Sequence, residues 1–311
     1  MTLAFFPLRF EFIAREPLCF SPGKAAPGKA ANTLRGALGV ILKRIACNYA
    51  KVFEPTSDGE GPSGLADPPR PFVFRARHLD GQTIQSGQAF HFDLNVFSLD
   101  RDVLSGFVKT FAALAHEGLG PGRGKADLES VRRLAADSLP EEALSDVTEP
   151  ASLDLTPLDS APRSIRVEFL TPTELKHDHR IAARPEFSIF FARIRDRIAT
   201  LRRLYGEGPL DIDFQGSGLR AANVRMTRCE VHRVEATRRS TRTGQSHSLG
   251  GFVGTAEYQG DLAEFLPYLE AARWTGVGRQ SVWGKGEISL SALQLRDLRL
   301  QPTDIPPPAH S

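Results

Sequence analysis

The chain has 311 residues, of which 41% are hydrophobic and 24% charged, the composition of a folded protein long enough for two domains. Its formal net charge is only +2, which excludes a uniformly basic surface and leaves local clusters of charge to consider. No run of about 18 uncharged apolar residues is present, and the three cysteines, at 19, 47 and 229, are far apart. We therefore expect no membrane span, signal peptide, disulfide framework or zinc site, and a cytoplasmic protein with free thiols.

The N-terminal half alternates between strand-like and helix-like hydrophobic spacing. We expect Asn32 to cap the first helix and Asp100 to cap the second, because both side chains can accept a hydrogen bond from a helix N-terminus. In chain order the predicted elements are a strand at 8–13, a helix with the apolar stripe Leu34, Leu38, Ile41, Leu42 and Ile45, strands at 72–77 and 89–97, a helix after Asp100, and a strand at 127–134.

The C-terminal half repeats this order. Its predicted elements are a strand at 165–170, a helix opened by Pro185, a long basic strand at 219–238, a strand at 252–258, a helix at 262–272 and a strand beginning at 287. The order β-α-β-β-α-β is that of the ferredoxin-like unit. The sequence thus predicts an α+β protein of two tandem ferredoxin-like (RRM-like, βαββαβ) domains, at 1–150 and 151–300, followed by a disordered tail at 301–311.

A glycine-rich loop follows the last helix of each half, at 118–124 and at 276–286. Glycine lets backbone N–H groups approach a ligand closely, and successive N–H groups with nearby cations form an anion site. The alternative is a structural turn that joins the helix to the next strand. The candidate phosphate-binding residues of the second loop are Gly276, Gly278, Arg279, Gly284, Lys285 and Gly286.

Arginine is concentrated between residues 220 and 242, where Glu230 and Glu235 are the only acids. Arginines on a projecting hairpin suit a phosphate backbone, and we select Arg238, Arg239 and Arg242 as candidate contacts. The alternative is a solvated sheet face balanced by acids elsewhere in the fold.

The first helix carries the polar residues Lys43, Tyr49 and Lys51 near its end. Lysine and tyrosine can move protons or stabilise charge in phosphodiester cleavage, although such residues more often only solvate a helix. His247 lies in the flexible arginine-rich loop and is a fourth catalytic candidate. His177 and His179 have no further ligands at metal-binding spacing, so we expect no metal site and no cofactor.

Residues 235–290 resemble the CRISPR-associated repeat-RNA-processing endoribonucleases, the sixth Cas family within the RAMP superfamily. The residues that carry the resemblance are Leu249-Gly-Gly-Phe-Val-Gly254, Tyr258-Gln-Gly-Asp-Leu262, Phe265-Leu-Pro-Tyr-Leu269, Gly276-Val-Gly278 and Trp283-Gly-Lys-Gly286. The N-terminal half resembles the family more loosely, through residues 30–39 and the strand pair at 72–97.

The resemblance implies tandem ferredoxin-like domains, CRISPR repeat RNA as the ligand, and other Cas proteins as further candidate partners. It also implies one metal-independent cut per repeat, in which the 2′-hydroxyl attacks the adjacent phosphate and leaves a 2′,3′-cyclic phosphate and a 5′-hydroxyl.

Many members carry a catalytic histidine in or near the first helix, whereas residues 32–51 contain none. The sequence offers four residues that could replace this catalytic histidine: Tyr49, Lys43, Lys51 and His247. A non-catalytic RNA-binding subunit of a CRISPR effector complex is the alternative, and an α+β enzyme with a small anionic substrate is a third hypothesis.

Overall fold

The computed structural model describes residues 1–20, 28–45, 48–56, 68–120, 122–135, 140, 147–178, 180–235, 237–239, 246–248 and 250–292. Of the segments 237–239 and 246–248 only the backbone is described. The tail predicted at 301–311 lies outside these ranges. None of the helices in the described ranges combines the length and apolar character needed to cross a membrane.

The N-terminal half forms one antiparallel sheet with helices packed on one face. Its elements are β1 (Thr2–Ala14), α1 (Lys29–Ile45), α2 (Tyr49–Phe53), β2 (Phe72–Arg75), β3 (Ala89–Val96), α3 (Arg101–Glu117), β4 (Ala126–Arg133) and β5 (Ala151–Asp154). The strand order is β2-β3-β1-β4, and β5 pairs with the beginning of β1. This confirms the predicted ferredoxin-like arrangement.

Phenylalanines of β1 and β3 form the centre of this core. Successive strand residues point to opposite faces, so Phe10 and Phe12 of β1 and Phe90 and Phe92 of β3 all turn toward the helices and are buried. The rings of Phe10 and Phe92 stack with centroids 5.4 Å apart, and Phe111 of α3 covers both. Each such aromatic pair contributes about 0.5–1.5 kcal/mol beyond simple burial.

The C-terminal half repeats the arrangement. Its elements are β6 (Ser164–Thr173), α4 (Phe187–Tyr205), α5 (Phe214–Ala221), β7 (Arg225–Val234), β8 (Gly251–Gln259), α6 (Leu266–Thr275) and β9 (Ile288–Ala292). The strand order β7-β8-β6-β9 is equivalent to that of the first half. The predicted stripe of α4 is confirmed, since all six of its apolar residues are buried: Phe187, Phe190, Phe191, Ile194, Ile198 and Leu201.

Three local predictions are wrong. Helix α1 begins at Lys29, so Asn32 lies inside it and is not the N-cap. Residues 219–221 end helix α5 rather than beginning the basic strand, which starts at Arg225. Ile45 is 43% exposed at the end of α1, where the helix has passed the core.

The two halves are interlocked near the predicted boundary at residue 150. Strand β5, which follows that boundary, pairs with Thr2–Phe5 of β1. Leu3 and Phe5 belong to the hydrophobic core of the C-terminal half, and the Phe5 ring lies 5.3 Å from that of Trp274. The start of the chain is therefore built into the second unit.

Candidate functional site

The loop from Gly276 to Gly286 owes its glycines to its backbone conformation. All four adopt positive φ, between 69° and 76°: Gly276, Gly278, Gly284 and Gly286. A Cβ added to Gly286 would lie 1.9 Å from the Val277 carbonyl oxygen, closer than real atoms approach. The loop therefore needs glycine in order to fold, whether or not it binds an anion.

Lys285 is a buried residue of this loop. Its ammonium donates to the Gly250 carbonyl at 2.7 Å and to Gln280 Oε1 at 2.9 Å, and its side chain is almost completely removed from solvent. Burial lowers the pKa of Lys285 from 10.5 to about 8. Binding of phosphate by Lys285 stays a prediction, and in the structure the side chain holds the loop against the start of β8.

Arg279 is the accessible cation of the loop. Its side chain is 55% exposed and pairs with Glu174 Oε1 at 2.7 Å, while the Glu174 side chain is only 7% exposed. The Arg279 backbone N–H also donates to the Glu174 carbonyl. Glu174, which sequence reasoning missed, thereby holds the guanidinium at the surface beside the loop.

The loop is docked on the first helix of the other half. Val282 belongs to the N-terminal hydrophobic core, and Gly284 lies against the Ala31 side chain of α1, where an added Cβ would come within 2.6 Å. The N-terminus of α1 is held from the opposite side by Asp80, which accepts from the N–H groups of Gly28 and Ala30 at 2.7 and 2.8 Å. Burial raises the pKa of Asp80, and these hydrogen bonds oppose that shift.

A row of stacked side chains runs from this loop along α1, and we call it the aromatic ladder. The Arg35 guanidinium lies 5.1 Å from the Trp283 ring and 5.4 Å from that of Phe53. Tyr49 stacks on Phe53 at 5.2 Å, and Lys43 Nζ lies 5.6 Å from the Tyr49 ring. The structure thus brings together two predicted catalytic residues, Tyr49 and Lys43, and joins them to the loop by cation–π and stacking contacts.

Lys51, the third candidate on these helices, points away from the ladder. Residues two positions apart on a helix do not share a face, and Lys51 Nζ instead contacts Asp100 Oδ2 at 2.7 Å. This hydrogen bond lowers the pKa of Asp100. Lys51 is thus separated from Tyr49 and Lys43.

The predicted arginine-rich hairpin is present. Thr237–Arg239 pairs with Ser246–Ser248, and Arg238 lies opposite His247 in the register. The side chains of Arg238, Arg239 and His247 are not among those described, and Arg242 lies outside the described residues. Their contact with RNA stays a prediction.

Buried polar groups of the N-terminal sheet hold the carbonyl end of α6, just before the loop. Arg75 donates to the Arg273 carbonyl at 2.6 Å, and Asn95 donates to the Trp274 carbonyl at 2.9 Å. Arg197 of α4 donates to the Thr275 carbonyl at 2.8 Å, and burial lowers the pKa of Arg197 to about 10. Positive charges near a helix C-terminus are stabilising. These contacts therefore hold the end of α6 in place, and with it the first residues of the loop.

Two family models match the chain. Residues 3–155 match a model described as an N-terminal domain, and residues 167–288 match that of the CRISPR-associated endoribonuclease Cas6. The second match contains the loop, Glu174 and the strands that hold them. This part of the chain matches the Cas6 family, which confirms the resemblance noted in the sequence. The function that the matched family indicates is CRISPR RNA processing by an endoribonuclease.

Solved Cas6 structures share the fold. A Cas6 of Thermus thermophilus, TTHB231, superimposes in a product complex with a TM-score of 0.57 at 15% identity, covering 93% of this chain and 100% of that one. A product complex of Cas6 TTHA0078 gives 0.52 at 16%, with coverages of 94% and 100%. The partial Cas6-RT-Cas1–Cas2 complex gives 0.54 at 13%, with coverages of 94% and 46%. No curated protein sequence matches the chain.

Proposed function

We propose that this protein binds CRISPR repeat RNA and cuts it once within each repeat, without a metal ion. The observation that carries the proposal is the position of the glycine-rich loop within the Cas6 match, docked on α1 and joined to Tyr49 and Lys43 by the aromatic ladder. RNA gripped at the surface cation Arg279 would lie at the junction of the two halves.

The proposed reaction needs no external nucleophile. The 2′-hydroxyl oxygen bonds to the adjacent phosphorus as its proton passes to a base on the protein. The bond from phosphorus to the 5′-oxygen breaks, and that oxygen takes a proton from an acid. Because the nucleophile belongs to the substrate, its connectivity supplies the positioning that a metal-bound water would otherwise need. Lys43 and Arg279 are positive groups of the kind that stabilise the charge of the transition state.

The test is cleavage of an end-labelled repeat RNA in buffer that contains EDTA. We expect a single cut, with a 2′,3′-cyclic phosphate on the upstream fragment and a 5′-hydroxyl on the downstream one. Tight binding without cleavage would favour the non-catalytic RNA-binding role, and the absence of salt-dependent RNA binding would overturn both.

Assembly with other Cas proteins is a further part of the proposal. One structural neighbour is a complex of Cas6, RT, Cas1 and Cas2. Co-purification of this chain with Cas1 and Cas2 would test whether it also assembles.

A further inference from the structure

Two histidines of the N-terminal half lie against each other outside the candidate site described above. His78 is exposed in a short turn (Arg77–Leu79) after β2, and His91 is half-buried in β3. Their rings are stacked with centroids 4.5 Å apart and planes inclined by 26°. His78 Nε2 lies 2.8 Å from the His91 carbonyl oxygen. We call these two residues the histidine pair.

The hydrogen bond gives the two nitrogens of His78 different roles. A backbone carbonyl only accepts, so Nε2 of His78 carries the proton that it donates, and Nδ1 is left as the site that can take up another. Stacked imidazoles also disfavour two positive charges at once, because like charges at this distance repel. Phosphodiester transesterification requires a base and an acid, and an imidazole can serve as either.

The pair lies on the face of the sheet opposite α1 and α3, beyond the part of that face that α6 covers at Arg75 and Asn95. Phe90 and Phe92, on either side of His91, turn into the helical core, so His91 points the other way. Next to it on this face, Arg9 of β1 binds Asp93 through two hydrogen bonds of 2.7 and 3.0 Å. A strand of RNA crossing this face would meet both imidazoles.

The charged groups that face His91 are Arg9, Glu11, Asp93 and His78. Burial lowers the pKa of His91, as do Arg9 and His78, and the two carboxylates oppose this. Their combined effect favours the neutral form of His91.

The pair adjoins the glycine-rich loop. Arg77, next to His78, lies 3.7 Å from Glu287, which directly follows Gly286. Asp80, two residues beyond His78, holds the start of α1 against which the loop packs. The loop and the histidine pair are thus connected through Arg77 and Glu287.

We propose that His78 and His91 are the acid–base pair of this endoribonuclease, acting on an RNA strand that crosses the N-terminal sheet at the end where His91 lies. The proposal rests on the proposed function. One imidazole takes the proton of the 2′-hydroxyl as the new oxygen–phosphorus bond forms. The other gives its proton to the departing 5′-oxygen as the second bond breaks. The pair supplies the histidines that the first helix lacks.

The experiment is single-turnover cleavage of repeat RNA in EDTA by wild type, His78→Ala, His91→Ala and His91→Gln. We expect the rate to fall about 10²- to 10⁴-fold in each variant, with the dissociation constant for RNA within threefold of wild type. One limb of the pH–rate profile should disappear. His116→Ala is the matched control, since His116 is an exposed histidine whose only described contact is with Arg15.

The outcomes separate the two proposals. If wild type does not cut, the proposed function fails, and this inference with it. If wild type cuts and folded His78→Ala and His91→Gln cut at the same rate, the inference alone is overturned. Circular dichroism melting curves identify any variant that has unfolded, and the Gln substitution keeps the volume of the half-buried ring in case Ala does not fold.

Discussion

At the scale of single residues, the loop cations have different roles. Arg279 is at the surface and Lys285 is buried, although the sequence presents both as basic residues among glycines. Only burial distinguishes them, and burial depends on residues that are remote in the chain, such as Gly250 and Glu174.

Arg279→Ala should weaken RNA binding without unfolding the protein. Losing one phosphate contact removes roughly one unit from the slope of log K against log salt, and we expect a three- to tenfold loss of affinity at moderate salt. Filter binding at several salt concentrations measures both. Arg220→Ala is the control, because Arg220 of α5 is similarly exposed and is paired with Glu264. Equal effects of the two substitutions would show that the loop contact is nonspecific.

Lys285 predicts a rise of stability with pH. Its folded-state pKa of about 8 lies below its usual 10.5, so between these values the unfolded chain binds more protons than the folded one. Stability should therefore increase with pH over this window, by at most roughly 1.4 kcal/mol per pH unit. Urea denaturation at pH 7, 8.5 and 10 measures the slope. In Lys285→Met the contribution of this ammonium to the pH dependence of the free energy of unfolding should disappear. A slope equal to that of wild type would contradict the lowered pKa of Lys285.

Gly286→Ala should disrupt the loop. Its φ of 69° is strained for an L residue, and its Cβ would collide with the Val277 carbonyl, so we expect a loss of several kcal/mol or an inactive fold. Gly36→Ala in α1 is the matched control, since its Cβ would meet nothing within 4 Å. There alanine should stabilise the helix by up to about 1 kcal/mol. Thermal melting distinguishes the two.

At the scale of elements, helix ends are held by residues from elsewhere in the chain. Asp80, about 50 residues downstream, caps α1, and the N-terminal sheet binds the carbonyl end of α6. Asp100, by contrast, caps its own helix α3 through the Asp102 N–H, and this was predictable because the signal is local. The cap assigned to Asn32 was wrong because the residue that does the capping is not adjacent in sequence.

Asp80→Ala should destabilise the protein by about 1–2 kcal/mol or more, because two helix N–H groups lose their acceptor in a partly buried setting. The control is Asp213→Ala, which removes a solvent-exposed cap that accepts from the Gly216 N–H of the short helix α5 and lies 3.8 Å from Arg220. We expect the Asp213 effect to be the smaller one in chemical denaturation. The reverse order would show that α1 does not depend on its remote cap.

At the scale of the whole molecule, the sequence predicted the two βαββαβ units but not how they meet. Hydrophobic periodicity and the positions of glycines between elements are local signals. They predicted the order of the strands and helices and the buried apolar face of α4. The docking of the loop on α1 and the contact of Arg35 with Trp283 join residues that are far apart in the chain. The histidine pair depends instead on the pairing of two neighbouring strands. A hairpin register drawn through β2 and β3 would have placed His78 near His91, but neither sequence spacing nor residue type marks that contact.

The ladder predicts energetic coupling between the halves. In a double-mutant cycle, Arg35→Ala and Trp283→Ala should share an interaction energy of about 0.5–2 kcal/mol, the usual range of a cation–π contact from exposed to desolvated. Chemical denaturation measures each corner of the cycle. Arg44→Ala is the control on the same helix, since Arg44 pairs with Glu117 instead, and its effect should simply add to that of Trp283→Ala. If the changes in the free energy of unfolding add in both cycles, the contact between Arg35 and Trp283 does not couple the two halves.

The placement of Leu3 and Phe5 in the C-terminal core has a consequence for how the protein is made. Residues 2–5 of β1 pair with β5, and Phe5 packs against Trp274 of α6, both of which are synthesised after β1. Domains generally fold in the order of their synthesis, but here β1 waits for α6. A nascent chain in which α6 has not yet been made exposes two large apolar side chains, and translation must pass α6 before they are sheltered.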